Sequence, residues 1–342
     1  MRRAHFIRAH FIIVLTLLSA PPPLRAQVPT NPQEAVPAGN VPRDLSSLQL
    51  DSGLRLELET AIKQSDFKRA ETILIKESER DPKSIRSARL LEFAGGIFFL
   101  DREYLNSIVA WKKADALAPL ADSNRFTLAM AYVKLRRRDW ARSELEKLAA
   151  AQPRNPLYLY WLARLDYDAH NYTAAITQLE RVIELDPKMM RAYDTLGLCF
   201  DYLGKFDQAI KNYNRAVELN RVQAKPSPWP HVDLAISLVA VNQLGEAEKN
   251  LREALRYDGE LPQAHYQLGR VLEMQGDHQA AVQSLKQAAT LNSLYPEPHY
   301  LLGRIYQRMG ESQLAKAEIE RFQQLEKGLQ TSAPTTLPSP KN

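Results

Sequence analysis

Apolar and polar residues alternate along most of this chain with a spacing of three to four, the period of an amphipathic helix. The stretch Ala192 to Asn220, AYDTLGLCFDYLGKFDQAIKNYNRAVELN, shows the unit most clearly. Leu196 and Phe200 mark the apolar face of a first half, and Phe206 and Tyr213 that of a second. The run Gly204-Lys205-Phe206 divides them. This predicts two short helices joined by a tight turn, with Gly197, Ala209 and Ala216 small where the helices must touch. One such hairpin cannot bury its own apolar faces, so it requires similar hairpins on either side.

The copies are in the sequence. Gly197 belongs to a column formed by Gly95, Ala129, Ala163, Gly197, Ala235, Gly269 and Gly303. Ala209 belongs to a second, Ser107, Ala141, Ala175, Ala209, Ala247, Ala281 and Ala315. Both advance by 34 residues, and both contain a single step of 38 at the same place. A third column, Ala94, Leu128, Leu162, Leu196, Leu234, Leu268 and Leu302, precedes the first by one residue. Pro82, Pro119, Pro153, Pro187, Pro228, Pro262 and Pro296 fall between hairpins, where a residue without an amide hydrogen ends one helix and opens the next. The longer step comes from a four-residue insertion, Ala224-Lys225-Pro226-Ser227. A weaker first copy keeps Phe67, Ala70 and Pro82 in register but lacks the small contact residue in its first helix. The count is eight repeats, near 51–84, 88–121, 122–155, 156–189, 190–223, 228–261, 262–295 and 296–329.

This pattern resembles the tetratricopeptide repeat, with its L-G…Y…G-x-Y/F…A…F/Y…A signature. Tyr193–Asn220 and His265–Asn292 fit it closely; Asp166, where an aromatic is usual, and Ser107 in place of alanine depart from it. The resemblance covers roughly Asp51 to Leu329. It implies an all-α fold, a right-handed superhelical solenoid of about eight helix-turn-helix repeats. It further implies that the first helices line a concave groove where a protein or peptide is held. Within that groove the expected binding residues are Tyr160 and Arg164, Tyr266 and Arg270, and Tyr300 and Arg304, with Asp194 and Leu198 interrupting the series. Each tyrosine and arginine stand four apart on one helix face. The arginine can fork onto a carboxylate, and the tyrosine offers apolar area and a hydroxyl. An acidic segment fits that chemistry. Gly96, Met130 and Arg164 stand where the carboxylate-clamp subgroup carries asparagines, so a reader of chaperone tails is not supported.

Composition narrows the partner. The formal charge is +5, but residues 1–26 hold four arginines and no acid, so the remainder carries about +1. The basic field that nucleic-acid binding needs is absent. Arg136-Arg137-Arg138 reads as a solvated charge run in a turn. Cys199 is the only cysteine, which excludes an intramolecular disulfide and any multi-thiolate metal site; it reads as core filler. His231, His265 and His299 recur at the repeat step, yet each belongs to a different hairpin, and packed helices about 8–10 Å apart cannot bring them to one ion. They read as fillers of a large-residue slot. No H-E-x-x-H, G-x-S-x-G, C-x-x-C or G-x-x-x-x-G-K-[ST] occurs, so no catalysis, cofactor or metal is expected.

Residues 1–26 read as a signal peptide. Arg2, Arg3 and Arg8 precede the apolar run Phe11–Ala20, and Leu24-Arg25-Ala26 offers a cleavage site before Gln27. The apolar run is too short to span a bilayer, which takes about 20 residues. The mature chain is therefore expected in the periplasm or secreted, without stable membrane insertion. Residues 27–44 read as a proline-rich disordered linker, 45–63 as a helix that joins the weak first repeat or caps it, and 330–342 as a disordered tail. The charged last helix, near Ser312 to Lys327, is expected to act as its own cap. The sequence thus points to a non-catalytic, exported bacterial scaffold that binds a protein segment. A carbohydrate- or envelope-polymer-binding module and a self-assembling solenoid are the alternatives, and the oligomeric state is open.

Overall fold

A computed structural model of the chain describes residues 45–332, with side chains through residue 329. The expected signal peptide, the linker 27–44 and the tail beyond residue 332 lie outside the described residues. Sixteen helices, α1 to α16, follow one another through the described chain. They are α1 Ser52–Lys63, α2 Phe67–Ser78, α3 Ile85–Leu100, α4 Tyr104–Leu117, α5 Asp122–Lys134, α6 Arg138–Ala151, α7 Pro156–Asp168 and α8 Tyr172–Leu185. Then come α9 Met190–Tyr202, α10 Phe206–Asn220, α11 Trp229–Ala240, α12 Leu244–Tyr257, α13 Pro262–Gln275, α14 His278–Leu291, α15 Pro296–Arg308 and α16 Ser312–Ser332. Each odd helix packs on the even helix after it, and each even helix on the next odd one. Most odd helices also touch the next odd helix, whereas even helices do not touch one another among the described residues. One face of the stack is therefore a row of odd helices. The row opens between α5 and α7, where Phe126 and Tyr158 meet ring to ring at 5.6 Å.

The turn inside every hairpin has the same construction. One residue takes a left-handed backbone conformation: Ser65, Arg102, Arg136, His170, Gly204, Asn242, Gly276 and Gly310. The next amide donates back five residues to the end of the odd helix, as Lys205 does to Phe200 at 2.9 Å and Arg137 to Tyr132 at 2.9 Å. This is a Schellman closure, in which the orphan carbonyls of the helix end are satisfied by the turn. Only three of the eight turns use glycine, so five carry the steric cost of a side chain at positive φ, of order 1 kcal/mol each. Arg102→Gly should therefore stabilise the protein by about 0.5 kcal/mol and Gly204→Ala destabilise it by about 1 kcal/mol. Urea denaturation of the two variants checks the opposite signs.

At the N-terminal end a short 3₁₀ turn, Ser46–Leu48, precedes α1, so the helix expected from Leu45 begins at Ser52. Asp51 accepts the Leu54 amide at 2.9 Å and fixes that start. Leu45, Leu48 and Leu50 turn inward onto α3 and join the core around Leu58 and Leu74. The chain 45–63 is thus both a helix of the first hairpin and a cover for it. At the other end α16 runs on to Ser332. Its Leu325 is buried and its Phe322 packs on Tyr300, while Leu314 and Leu329 stay exposed. The four-residue insertion is pinned by Asn220, fully buried at the end of α10. Its side chain donates to the Ser227 carbonyl at 2.7 Å and accepts the Ser227 amide at 2.8 Å. Cys199 lies in the core, where burial pushes its thiol up to about 12.

Candidate functional site

The odd helices place the expected binding residues in two different surroundings. Tyr160 on α7 is fully buried; its hydroxyl lies 3.4 Å from Thr195 Oγ1 on α9, and its ring sits edge-on to Trp161. Arg164, one turn later, is only 6% exposed. It donates from Nε to Asp168 Oδ1 at 3.2 Å and lies 5.1 Å from the centre of the Tyr167 ring. This pair is part of the packed interior between repeats, not a surface. The next two positions of each series, Asp194 with Leu198 and Val232 with Ile236, continue a mostly apolar strip.

Toward the C-terminus the row becomes polar and more open. On α13, Tyr266 is half-buried, packs on Tyr295 at 5.2 Å, and carries the Arg270 guanidinium 5.9 Å from its ring centre. On α15, Tyr300 and Arg304 repeat that arrangement at the same 5.9 Å, with Phe322 behind the ring. The guanidinium groups differ in their partners. Arg304 lies 3.5 Å from Glu273 Oε1, which also holds Arg308. Arg270 donates to the amide oxygen of Gln267 at 2.6 Å and has no carboxylate within ion-pair distance among the described residues. Beside it, burial pushes the Tyr266 phenol up, while Arg270 works in the opposite direction. Burial also raises the Glu297 carboxyl, whose Oε2 finds no hydrogen-bond partner. The α13–α15 surface thus offers two arginines braced on tyrosine rings, one of them uncommitted to any acid. A carboxylate accepting from Arg270 while its aliphatic neighbours rest on Tyr266 and Tyr300 is the chemistry it can serve.

Other groups are accounted for locally. His231 Nδ1 meets Asn250 Oδ1 at 2.8 Å, and His299 Nδ1 meets Glu318 Oε2 at 2.6 Å, each on its own even helix. His265 Nε2 contacts the Gly259 carbonyl at 3.0 Å. Burial pushes the His231 imidazole down, toward the neutral form. Among the described residues one set of carboxylates, Glu71, Asp101 and Glu103, is close enough to share a cation, and the Lys68 ammonium bonds to all three.

Two buried acids escaped the sequence reading. Asp201 on α9 accepts from the Tyr213 hydroxyl at 2.9 Å and from Ser237 Oγ on α11 at 2.6 Å, and so ties three helices together. Asp166, the departure from the aromatic pattern, accepts from Arg142 at 2.6 Å and from Gln178 at 2.7 Å. The available signal was an acid at a core-facing position of an odd helix.

Comparison with known proteins agrees with this architecture. Models described as tetratricopeptide repeat match residues 232–296 and 296–328, and the model for anaphase-promoting complex, cyclosome, subunit 3 matches residues 141–216. Anaphase-promoting complex subunit 3 of Dictyostelium discoideum is 35% identical over 69 residues, a stretch that spans 20% of this chain and 7% of that protein. Among solved structures, a tetratricopeptide repeat protein from Parabacteroides merdae superposes with a TM-score of 0.60 at 15% identity, covering 80% of this chain and 99% of its own. The Cut9–Hcn1 hetero-tetramer of the anaphase-promoting complex gives 0.57 at 15%, with 74% of this chain and 55% of that one covered. PilW, a type IV pilus biogenesis factor, gives 0.54 at 18%, with 63% and 94% covered. At these identities the structures speak for the fold alone. The repeat matches, together with eight hairpins closed by one turn geometry, make this chain a tetratricopeptide-repeat protein, a non-catalytic helical scaffold of the kind that binds other proteins.

Proposed function

We propose that the protein is an exported scaffold of the bacterial cell envelope that binds an acidic protein segment on the α13–α15 face. Arg270 carries this reading: a half-buried guanidinium, held over Tyr266 and without a carboxylate partner, on a surface with a second Tyr–Arg pair beside it. Tyr160 and Arg164 are not part of that face: the Tyr160 hydroxyl meets Thr195 between α7 and α9, and Arg164 bonds to Asp168 within α7. A neutral glycan would leave Arg270 without a counter-charge, which favours the acidic peptide over a neutral polymer. Export rests on the arginine-flanked apolar run of residues 1–26. Recovery of the chain from the cytosol with that segment intact would remove this half of the reading.

The binding half is tested with fluorescent ten-residue peptides rich in Asp and Glu, alongside amide-substituted versions of the same peptides. Arg270→Ala with Arg304→Ala is expected to weaken binding of the acidic set about thirtyfold, the scale of losing about 2 kcal/mol at a hot-spot arginine. The amide versions should bind weakly to native and variant alike. Equal affinity of native and variant chains for the acidic peptides would move the interface elsewhere.

A further inference from the structure

The turns inside the hairpins line up along one edge of the stack. Lys68 at the start of α2 reaches Asp101 and Glu103 in the next turn. Arg138 donates to the Asp168 carbonyl at the end of α7 at 2.8 Å, and Tyr172 stacks on Tyr202 with rings 4.8 Å apart and 9° from parallel. On this edge the α5–α6 turn differs from the others. Every residue from Lys134 to Trp140 is exposed, and the stretch reads KLRRRDW. Four cations and one acid are interleaved with two apolar side chains, Leu135 and a Trp140 that is 59% exposed.

The indole is held in place. It meets Tyr132 edge to face at 5.4 Å, and the Arg137 guanidinium lies 5.9 Å from its centre. The cations around it are uncommitted. Lys134, Arg136 and Arg137 have no carboxylate within ion-pair distance among the described residues, whereas Lys68, Arg86, Arg125, Arg142 and Lys147 all do. Asp139 is the only acid within the stretch, and the acids of the preceding turn, Asp101 and Glu103, are engaged by Lys68. Arg102 adds positive charge on the preceding turn. A near-neutral net charge outside residues 1–26 hides this local concentration.

We propose that the α5–α6 turn is a peripheral contact for an anionic phospholipid surface, with Lys134, Arg136 and Arg137 on the phosphates and Trp140 and Leu135 at headgroup depth. Four cations within five residues match the density at which anionic leaflets attract basic segments. Tryptophan beside arginine is the pairing that settles at a membrane–water boundary, and the guanidinium fork matches phosphate oxygens. A protein partner would need a recess shaped for the indole, ringed with acids. A lipid surface supplies the phosphates as a lattice and takes up the indole without shape matching. The contact would lay the edge of the stack on the membrane and is independent of the α13–α15 face.

Trp140 is its own probe, because the other three tryptophans, Trp111, Trp161 and Trp229, are buried. The full-length chain is titrated with vesicles of phosphatidylglycerol and phosphatidylcholine, with vesicles of phosphatidylcholine alone, and with a poly-glutamate peptide. The anionic vesicles should shift the emission to the blue and cut acrylamide quenching several-fold, an effect reversed by about 0.5 M salt. Arg136→Gly with Arg137→Gln should weaken that response about thirtyfold. Glycine at position 136 suits the left-handed backbone there, so the turn is kept, and circular dichroism checks the fold. An unchanged response in this variant, an equal response to neutral vesicles, or no response to any vesicle overturns the proposal. A response to poly-glutamate alone overturns it in favour of a protein contact.

Discussion

Gly197→Ala should destabilise the protein by about 2 kcal/mol, although alanine is the better helix former. A Cβ at position 197 would lie 2.6 Å from the Tyr213 ring, which is fully buried and cannot swing away without breaking its hydroxyl bond to Asp201. Overpacking of that kind costs about 3 kcal/mol, offset by about 1 kcal/mol of helix propensity. Two controls separate sterics from propensity. Gly96→Ala adds a Cβ where nothing lies within 4 Å and should stabilise by about 0.5 kcal/mol. Gly269→Ala meets Leu285 at 2.6 Å, but Ala129, Ala163 and Ala235 occupy the same place opposite Leu145, Leu179 and Leu251, so a leucine can give way and the cost should be under about 1 kcal/mol. The double variant Gly197→Ala with Tyr213→Leu recreates that alanine–leucine pairing and should recover part of the loss. Chemical denaturation of the four variants measures all of this. An undiminished stability for Gly197→Ala would mean that the α9–α10 hairpin is not packed as described.

That coupling shows where the sequence was legible. The Gly/Ala column identified the helix contact in seven repeats, because small residues at a fixed step leave a one-dimensional trace. Why some copies use glycine was not visible until the residue sixteen places on was seen to lie against it: Trp111 on Gly95, Tyr213 on Gly197 and Ile319 on Gly303. The turns behaved similarly. Gly204 announced one, but Ser65, Arg102, Arg136, His170 and Asn242 adopt the same left-handed conformation with no local sign of it. Closure of the whole hairpin overrides the steric preference of one residue.

The candidate site was legible as a series and not as a set of equivalents. Spacing treats Tyr160, Tyr266 and Tyr300 alike, since each lies in the same register of its odd helix. Their depth depends on what the neighbouring repeat places opposite. Thr195 and the Trp161 ring close over Tyr160, whereas Tyr266 and Tyr300 keep an open side next to Arg270 and Arg304. Periodicity carries no information about the partner residue on the next repeat. The same holds for the Lys134–Trp140 turn, where charge and an indole were readable but the missing acids around them were not.

Cross-repeat ion pairs are the least legible contacts and among the most consequential, and Arg125→Ala should cost about 3 kcal/mol. Arg125 on α5 bonds Asp115 Oδ1 of α4 at 2.7 Å and Glu144 Oε2 of α6 at 2.7 Å, so one guanidinium joins two hairpins. The Glu144 side chain is only 5% exposed, and Asp115 17%. Removing the arginine leaves both carboxylates half-served; Lys112 and Lys147 still reach Glu144, at 3.7 and 3.2 Å, which holds the loss below the upper range for such sites. A packing defect and an electrostatic one predict different pH behaviour. Burial opposes ionisation of Asp115, but the Arg125 guanidinium and the Leu120 amide outweigh it and hold the carboxyl below its usual range. The folded value lies below the unfolded value of about 3.9, so this stabilisation is complete above that pH and fades as pH falls through the folded value. The gap between native and Arg125→Ala should therefore be widest near neutrality and close in acid, as measured by urea midpoints across pH. A gap constant with pH would assign the loss to the missing aliphatic stem. Exchanging all three groups for neutral ones, Asp115→Asn, Arg125→Met and Glu144→Gln, should be less damaging than Arg125→Ala alone, because no charge is then left buried without its partner.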